Sequence, residues 1–319
     1  MIKTIIGTDI DYAAELLCNG EVVAIPTETV YGLAANALNT VSVQKIYNLK
    51  NRPADNPLII HVADIEQVYK YTNDIPEQAF KLLEKFSPGP LTVLLPKKDI
   101  IPGIVTAGQD TVAIRIPKHT LTQVLLDITG LPLAAPSANP FTYISPTTSN
   151  HVHKMFDGKI RYILDGGACD AGIESTIIGF PNNKPTLFRA GAINTTDIEK
   201  TIGVKLNRPE KTTRAPGMHK KHYSPFTPVL AVDDIDLEIK RNSRLNIGVV
   251  TYNSYTNQLP LGNQVMLGTT DDMTVAMNKL YATLHDMDAK SYDLIIAKRF
   301  PAYGLGIAIN DRLDRASMS

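Results

Sequence analysis

Hydrophobic residues in the first sixty positions alternate between two periods. Apolar residues recur at helical spacing after Thr8, which with Asp11 forms a capping-box-like start, and again after Thr40, which we predict as the second cap. An apolar run of strand length follows each helix. The resulting helices cover 13–17 and 41–49, and the strands cover 21–26 and 57–62. This alternation predicts an α/β domain.

Further strand-like runs follow at short intervals after residue 90. They lie at 91–95, 112–116, 133–135, 162–164, 176–178 and 186–188. The last three leave no room for the helical crossovers that neighbouring parallel strands need. We therefore predict a twisted open sheet of mixed direction, flanked by helices.

A proline-rich segment at 208–228 interrupts this pattern and shows no amphipathic period, as is typical of an interdomain linker. Its five lysines and arginines against one glutamate give it a net charge of +4. Beyond it, strand-like runs flank a methionine-containing helical stripe at 273–287, which indicates core packing. We predict a catalytic α/β domain over 1–207, the linker or lid over 208–228, and a smaller Rossmann-like α/β domain over 229–319.

Composition excludes some classes of function. Lysine plus arginine and aspartate plus glutamate both number 32, so the neutral chain is not expected to coat nucleic acid or an anionic membrane by bulk charge. No apolar run approaches the roughly 18 residues of a membrane span, and the start of the chain lacks a signal-peptide layout. We predict a cytoplasmic protein without a membrane partner. Cys18 and Cys169 support neither a disulfide framework nor a zinc site.

Polar and cationic side chains occur where the apolar strands begin or end. These segments are 26–32, 135–140, 172–176 and 188–191, and a further cationic segment, 50–53, lies where a helix ends. Arg115 lies within an apolar strand, where a guanidinium is costly unless its charge is paired or binds an anion. Because no common phosphate-binding glycine motif occurs, we expect a concave site in which side chains recognise a polyanion and a small polar ligand.

Several of these residues also have purely structural explanations. Thr29 is typical of a turn cap, and Lys50 and Arg52 complement the dipole at a helix C-terminus. His61, inside an apolar strand, is more often a satisfied core histidine than a ligand. The HVH motif at 151–153 indicates a solvated pair rather than a metal site, because alternate side chains do not converge.

Seven segments in order resemble the YrdC family: PTETVYGL, KNRPADNPLIIHV, SPGPLTVLLP, VAIRIP, APSANP, GIESTII and FRAGAI. The linker sequence APGMHKKHYSP and the ending GLGIAINDRLDRAS resemble the longer, two-domain form of the family. The resemblance spans nearly the whole chain. Seven segments at compatible spacing make a chance match improbable.

This resemblance implies a nucleotidyltransferase that condenses L-threonine, bicarbonate or CO2, and ATP to threonylcarbamoyl-AMP and pyrophosphate, with Mg²⁺. Mg²⁺ is expected to bind mainly through the ATP phosphates, without assigned protein ligands. The product feeds threonylcarbamoylation of the adenosine beside the anticodon in tRNA. Hand-over to the tRNA threonylcarbamoyl transferase complex and a weak contact with tRNA are further expectations from the resemblance.

The resemblance also assigns roles to residues. The expected catalytic residues are Lys50 and Arg52. The expected threonine contacts are Thr29, His61, Arg115, Ser137 and Ser175, with Arg115 on the threonine carboxylate or on a phosphate. The expected ATP contacts are Lys50, Arg52, Asn56, Asn139, Thr147, Arg189 and Tyr223, of which Tyr223 is a linker residue reaching over the nucleotide.

Two segments depart from the family pattern. Residues 140–144 read PFTYI where the family has a Ser-Gly pair, and Ala190 follows Arg189 in place of proline. Neither change removes a charged group. The basic linker is suited to act as a lid attracted by triphosphate, so we expect deletion of 214–223 to leave the fold intact and to lower ATP affinity.

Two other functions fit parts of the sequence. An RNA-binding module would show steeply salt-dependent binding and no pyrophosphate release, but neutral charge and few stacking aromatics count against it. A carbamoyl-phosphate-dependent transferase of hydrogenase maturation also contains a YrdC-like domain, but two lone cysteines leave its zinc-finger segments absent. The C-terminal domain offers no catalytic constellation, and a partner-binding role for it stays open.

Overall fold

The computed structural model describes residues 3–209, 215–216, 222–268 and 272–318, which form two sheets with flanking helices. The strands of the first sheet are β1 (Ile5–Gly7), β2 (Val23–Ile25), β3 (Gly32–Asn36), β4 (Ile59–His61), β5 (Leu91–Pro96), β6 (Thr111–Arg115), β7 (Leu133–Ala134), β8 (Tyr162–Leu164), β9 (Thr176–Gly179) and β10 (Thr186–Arg189). Its helices are α1 (Ile10–Cys18), α2 (Thr40–Lys50), α3 (Ile65–Tyr71), α4 (Glu77–Phe86), α5 (Gly103–Thr106), α6 (Thr120–Thr129), α7 (Ser149–Phe156) and α8 (Thr195–Ile202).

The first sheet mixes parallel and antiparallel pairs, in the order β1-β8-β2-β3-β7-β4-β6-β5-β9-β10. The pairs β4/β6 and β5/β9 are parallel, whereas β5/β6 and β9/β10 are antiparallel. The parallel register of β4 and β6 places His61 beside Arg115. The mixed sheet predicted from the spacing of the apolar runs is confirmed.

The second sheet is parallel throughout, in the order β11-β14-β12-β13. Its strands are β11 (Val229–Val232), β12 (Ile247–Thr251), β13 (Gln264–Met266) and β14 (Leu294–Lys298), and its helices are α9 (Ile235–Arg241), α10 (Met273–Asp288) and α11 (Gly306–Ala316). Met273, Met277 and Met287 of α10 are buried, as the methionine stripe predicts. The predicted linker lies between the two sheets, but its bounds and those of the domains stay predictions.

Both predicted helix caps are wrong by one residue. Asp9, not Thr8, caps α1, because its Oδ1 accepts the Tyr12 N–H at 2.9 Å. Asn39, not Thr40, caps α2, because its Oδ1 accepts the Val41 N–H at 3.0 Å. In each case the observed cap is the residue whose short side chain reaches the free amides of the first turn.

The strand β3 and the helix α6 were not predicted from the sequence. β3, with the sequence GLAAN, has few β-formers and is a strand because it pairs antiparallel with β2 and β7. α6 is rich in β-branched residues, yet it is helical because Leu125 and Leu126 are buried in an apolar cluster of the first domain. Tertiary contacts decide both elements.

The two domains share one apolar cluster. Val30, Ile144 and Ile173 of the first domain pack in the same cluster as Leu280 and Leu284 of α10. The second domain therefore lies directly against the loops that follow the central strands. No helix in the described part of the chain is long and apolar enough to cross a membrane.

Candidate active site

A cleft lies over the central strands of the first sheet, on the face to which Ile59, His61 and Arg115 project. Linker residues Pro216 and Tyr223 also line it. The predicted site residues along its wall are Thr29, Arg52, His61, Arg115, Ser137, Ser175, Arg189 and Tyr223. The remaining predicted site residues, Lys50, Asn56, Asn139 and Thr147, are buried outside this lining.

Arg115 has a protein partner, which explains a guanidinium in an apolar strand. Its Nη2 lies 2.7 Å from the Glu28 Oε2, and both side chains are almost fully buried. Its Nη1 donates to the Thr29 hydroxyl at 2.8 Å. Glu28 was missed at the sequence level, although it lies in the quoted segment PTETVYGL. The signal was Arg115 in an apolar strand, for which an acidic partner was one of two explanations.

Hydroxyl groups cover the part of the cleft around Arg115. Thr29 and Thr27 share a hydrogen bond of 2.8 Å between their hydroxyl oxygens, so Thr29 is more than a turn cap. His61 is buried beside them, and burial together with the charge of Arg115 lowers its pKa to about 3. His61 is therefore a neutral imidazole in the wall of the cleft, and the structure agrees with both the ligand and the core explanations.

Two further arginines line the cleft. Arg52, just beyond α2, donates to the Asn56 side-chain and backbone oxygens at 2.7 and 3.0 Å, and burial lowers its pKa to about 10. Arg189, at the end of β10, donates to the Ser175 hydroxyl at 3.1 Å. Asn56, which was predicted to contact ATP, thus orients the Arg52 guanidinium in this structure.

Lys50 is buried behind the cleft wall and is not among the residues that line the cleft. Its Nζ donates to the backbone carbonyls of Ser137 and Asn139, and it is almost fully buried. Burial and the charge of Arg52 lower the pKa of Lys50 well below its usual range. The lysine therefore joins the end of α2 to the loop that carries Ser137 to the cleft.

Asn139 and Thr147 shape the loop between them. The Asn139 amide donates to the carbonyl of Tyr143 at 2.8 Å, and the Thr147 N–H donates to the His151 Nδ1 at 3.3 Å. The expectation that His151 is solvated is wrong, because it is buried and stacks on His285 of α10 at 4.1 Å between ring centroids.

The second domain contacts the cleft wall at Glu174, a residue of the first domain that lines the cleft. The Glu174 carboxylate accepts hydrogen bonds from Ser145 at 2.7 Å, from Tyr281 at 3.0 Å and from Arg312 at 3.0 Å. Burial alone would raise its pKa, but the charges of Arg312 and Arg189 lower it to about 2. Tyr281 and Arg312 of the second domain thus hold a carboxylate of the cleft wall, and the expectation that this domain offers no catalytic constellation stays a prediction.

The described end of the linker lines the cleft with His222 and Tyr223. Tyr223 is buried, and its ring lies 5.2 Å from the Arg312 guanidinium and 5.6 Å from the Tyr281 ring. Residues 210–214 and 217–221 of the predicted linker, which include Arg214, Gly217 and His219, lie outside the described residues.

Comparison with known proteins agrees with this geometry. The Sua5/YciO/YrdC family, described as telomere recombination, matches residues 15–191, and a family described as the C-terminal domain of threonylcarbamoyl-AMP synthase matches 193–318. The threonylcarbamoyl-AMP synthase of Pyrococcus abyssi is 40% identical over 96% of this chain and 93% of its own. The threonylcarbamoyl-AMP synthase of Bacillus subtilis is 41% identical over 96% of this chain and 92% of its own. The chain belongs to the threonylcarbamoyl-AMP synthase family.

A solved structure of this family has the same fold. The crystal structure of Sua5 from Pyrococcus abyssi in complex with L-threonine matches with a TM-score of 0.89 and 37% identity, covering 99% of this chain and 97% of that one. The family, the two-part α/β fold and the nucleotidyltransferase class expected from the sequence are confirmed. The individual site residues stay predictions.

Proposed function

We propose that the protein condenses L-threonine, bicarbonate or CO2, and ATP to threonylcarbamoyl-AMP with release of pyrophosphate, the first step of threonylcarbamoyladenosine modification of tRNA. One observation carries this proposal: a single cleft joins a hydroxyl-lined part around Arg115 to a cationic part around Arg52 and Arg189. The first part suits a small amino acid and the second suits a triphosphate.

The chemistry needs charge stabilisation more than a nucleophile. The carbamate oxygen of N-carboxythreonine attacks the α-phosphorus of ATP, and the bond to the pyrophosphate oxygen breaks. Negative charge on the phosphate oxygens during this exchange favours fixed cations in a partly closed cleft. Arg52 and Arg189 supply them, and Asn56 and Ser175 hold those two arginines in place.

On the threonine side, Thr29, His61, Ser137 and Ser175 offer hydroxyls and a neutral imidazole. A hydrogen bond to the threonine hydroxyl gives stronger selectivity over non-hydroxylated amino acids than a methyl pocket does. Arg115 is held by Glu28, so it orients the Thr29 hydroxyl and adds positive charge for the threonine carboxylate. Lys50 contributes to this side of the cleft by holding the loop that carries Ser137.

Mg²⁺ enters this scheme with ATP and neutralises phosphate charge when bound. The described residues include no group of three or more acidic, histidine or cysteine side chains suited to hold a metal ion. Glu28 is committed to Arg115, and Glu174 to Arg312. We therefore assign Mg²⁺ to the ATP phosphates, with the chain's arginines around them.

The linker acts as a lid over the adenylate, with Tyr223 on the nucleotide side. A closed lid keeps water from the labile product until it passes to a threonylcarbamoyl transferase acting on tRNA. We place this reaction in the cytoplasm. The identity of the relatives supports the reaction, and the buried Tyr223 supports the lid.

Calorimetric titration separates the two halves of the cleft. Thr29→Val replaces the hydroxyl with a methyl group of similar size and is expected to weaken threonine binding about tenfold while ATP binding stays unchanged. Arg52→Gln is expected to weaken ATP binding while threonine binding stays unchanged. Its control is Arg161→Gln, at an exposed arginine. The residue assignment fails if both variants weaken both ligands equally or if neither weakens any.

A further inference from the structure

Residues 141–143, which depart from the family pattern, contact the described end of the linker in parallel order. The Phe141 ring lies edge-on to His222 at 5.9 Å between centroids. The Thr142 carbonyl accepts the Ser224 N–H at 2.8 Å. We call residues 141–143 the linker seat.

The linker seat continues at Tyr143, whose ring packs on Phe226 at 4.8 Å between centroids. Linker residues 222, 224 and 226 thus lie on three consecutive seat residues. Phe226 is 87% exposed, so this ring contact by itself buries little apolar surface. A second anchor is needed to hold the segment.

Asp288, the last residue of α10, is that anchor. Its Oδ2 accepts the Tyr143 hydroxyl at 2.6 Å and the Phe226 N–H at 3.2 Å, and its Oδ1 accepts the Thr227 N–H at 2.8 Å. One carboxylate of the second domain therefore binds the linker seat and the linker at once. Hydrogen bonds to a charged acceptor are the stronger kind.

The linker backbone is strained at Tyr223, close to this anchor, and a strained backbone needs contacts that hold it. Tyr223 has a φ of 64°, in the left-handed region that side chains with a Cβ rarely adopt. A conformation of this kind persists only where surrounding contacts impose it. Asp288 and the linker seat contact linker residues on both sides of Tyr223 in the chain, from His222 to Thr227.

We propose that Tyr143 and Asp288 are positioning residues that hold linker residues 222–227 closed over the cleft. Through Asp288, the second domain sets how often the linker opens. That the closed linker covers a nucleotide rests on the proposed function, whereas the contact between Asp288 and the linker does not.

Amide hydrogen exchange tests the contact without substrate. The informative group is the Ser224 N–H, because it is bonded to Thr142 and touches neither proposed residue. Tyr143→Phe, which loses one hydrogen bond, is expected to speed its exchange about three- to tenfold. Asp288→Asn, which loses the oxygen that accepts two hydrogen bonds, is expected to speed it at least as much. Tyr303→Phe, at an exposed tyrosine far along the chain, is the matched control and is expected to leave it unchanged.

Steady-state kinetics then links the contact to function. Both variants are expected to raise the KM for ATP by a similar factor and to change kcat less. If Asp288→Asn lowers the melting temperature, Tyr143→Phe, which keeps the ring, carries the test. Ser224 exchange equal to that of the unaltered protein in Tyr143→Phe would overturn the proposal. A protein that makes no threonylcarbamoyl-AMP would instead overturn the proposed function and leave the exchange result standing.

Discussion

Arg115 is a charge in an apolar strand, and the sequence left two explanations for it, a paired charge or a bound anion. The structure supplies the pair with Glu28, in which each side chain is about 95% buried. An ion pair this deep adds little net stability, but removal of one partner leaves an unpaired buried charge. Arg115 and Thr29 in the cleft wall therefore depend on Glu28 for their position.

Glu28→Gln is predicted to lower the free energy of unfolding by about 3 kcal/mol, because Arg115 loses its counter-charge. The same change is expected to raise the KM for threonine, since the Arg115 hydrogen bond orients Thr29. Urea denaturation measures the first effect, with the exposed Glu84→Gln as control. Equal unfolding free energies for the two variants would refute the structural role of the ion pair.

At the scale of elements, α10 and α11 of the second domain meet the loop before β9 at Glu174. The three hydrogen bonds and the charge of Arg312 keep Glu174 ionised, with its pKa near 2 against an ordinary value of 4.5. A lowered folded-state pKa stabilises the protein above pH of about 4.5, and this stabilisation is lost as the pH falls towards 2. The contact between the domains is therefore acid-sensitive.

Glu174→Gln is predicted to remove this pH dependence. At neutral pH the variant is expected to be less stable on the order of 3 kcal/mol. The difference shrinks as the pH falls from about 4.5 towards 2, because the carboxyl group of the unfolded protein takes up a proton in this range while that of the folded protein stays ionised. Thermal unfolding across this pH range measures it. A stability difference that stays constant with pH would contradict the assignment of the low pKa to Glu174.

The sequence predicted elements well where local pattern decides them, as for α2, β8 and the methionine stripe of α10. It failed where tertiary pairing decides, as for β3. The same contrast between local pattern and distant contacts applies to the site residues. Of the twelve residues named from the family motifs, eight line one cleft, and Lys50, Asn56, Asn139 and Thr147 are buried outside its lining. Glu28 and Arg312 were missed because their partners lie far away in the chain.

Across the whole molecule, the two domains form one functional unit. The cleft belongs to the first sheet, its cover is the linker, and the groups that hold both, Arg312, Tyr281 and Asp288, belong to the second domain. No local pattern in the second domain predicts this role, because its residues act only through contacts with Glu174 and the linker. The second domain therefore supports the wall of the cleft and the linker, while the described residues that line the cleft belong to the first domain and the linker.

The most direct test of this account is pyrophosphate release by the purified full chain with ATP, Mg²⁺, bicarbonate and L-threonine, each omitted in turn. We predict release that requires all four components and falls at least tenfold in Arg52→Gln, because that guanidinium stabilises the charge on the phosphate oxygens. The exposed Arg161→Gln is expected to match the unaltered protein. Release that persists without threonine or bicarbonate, or none under any condition, would contradict the proposed function.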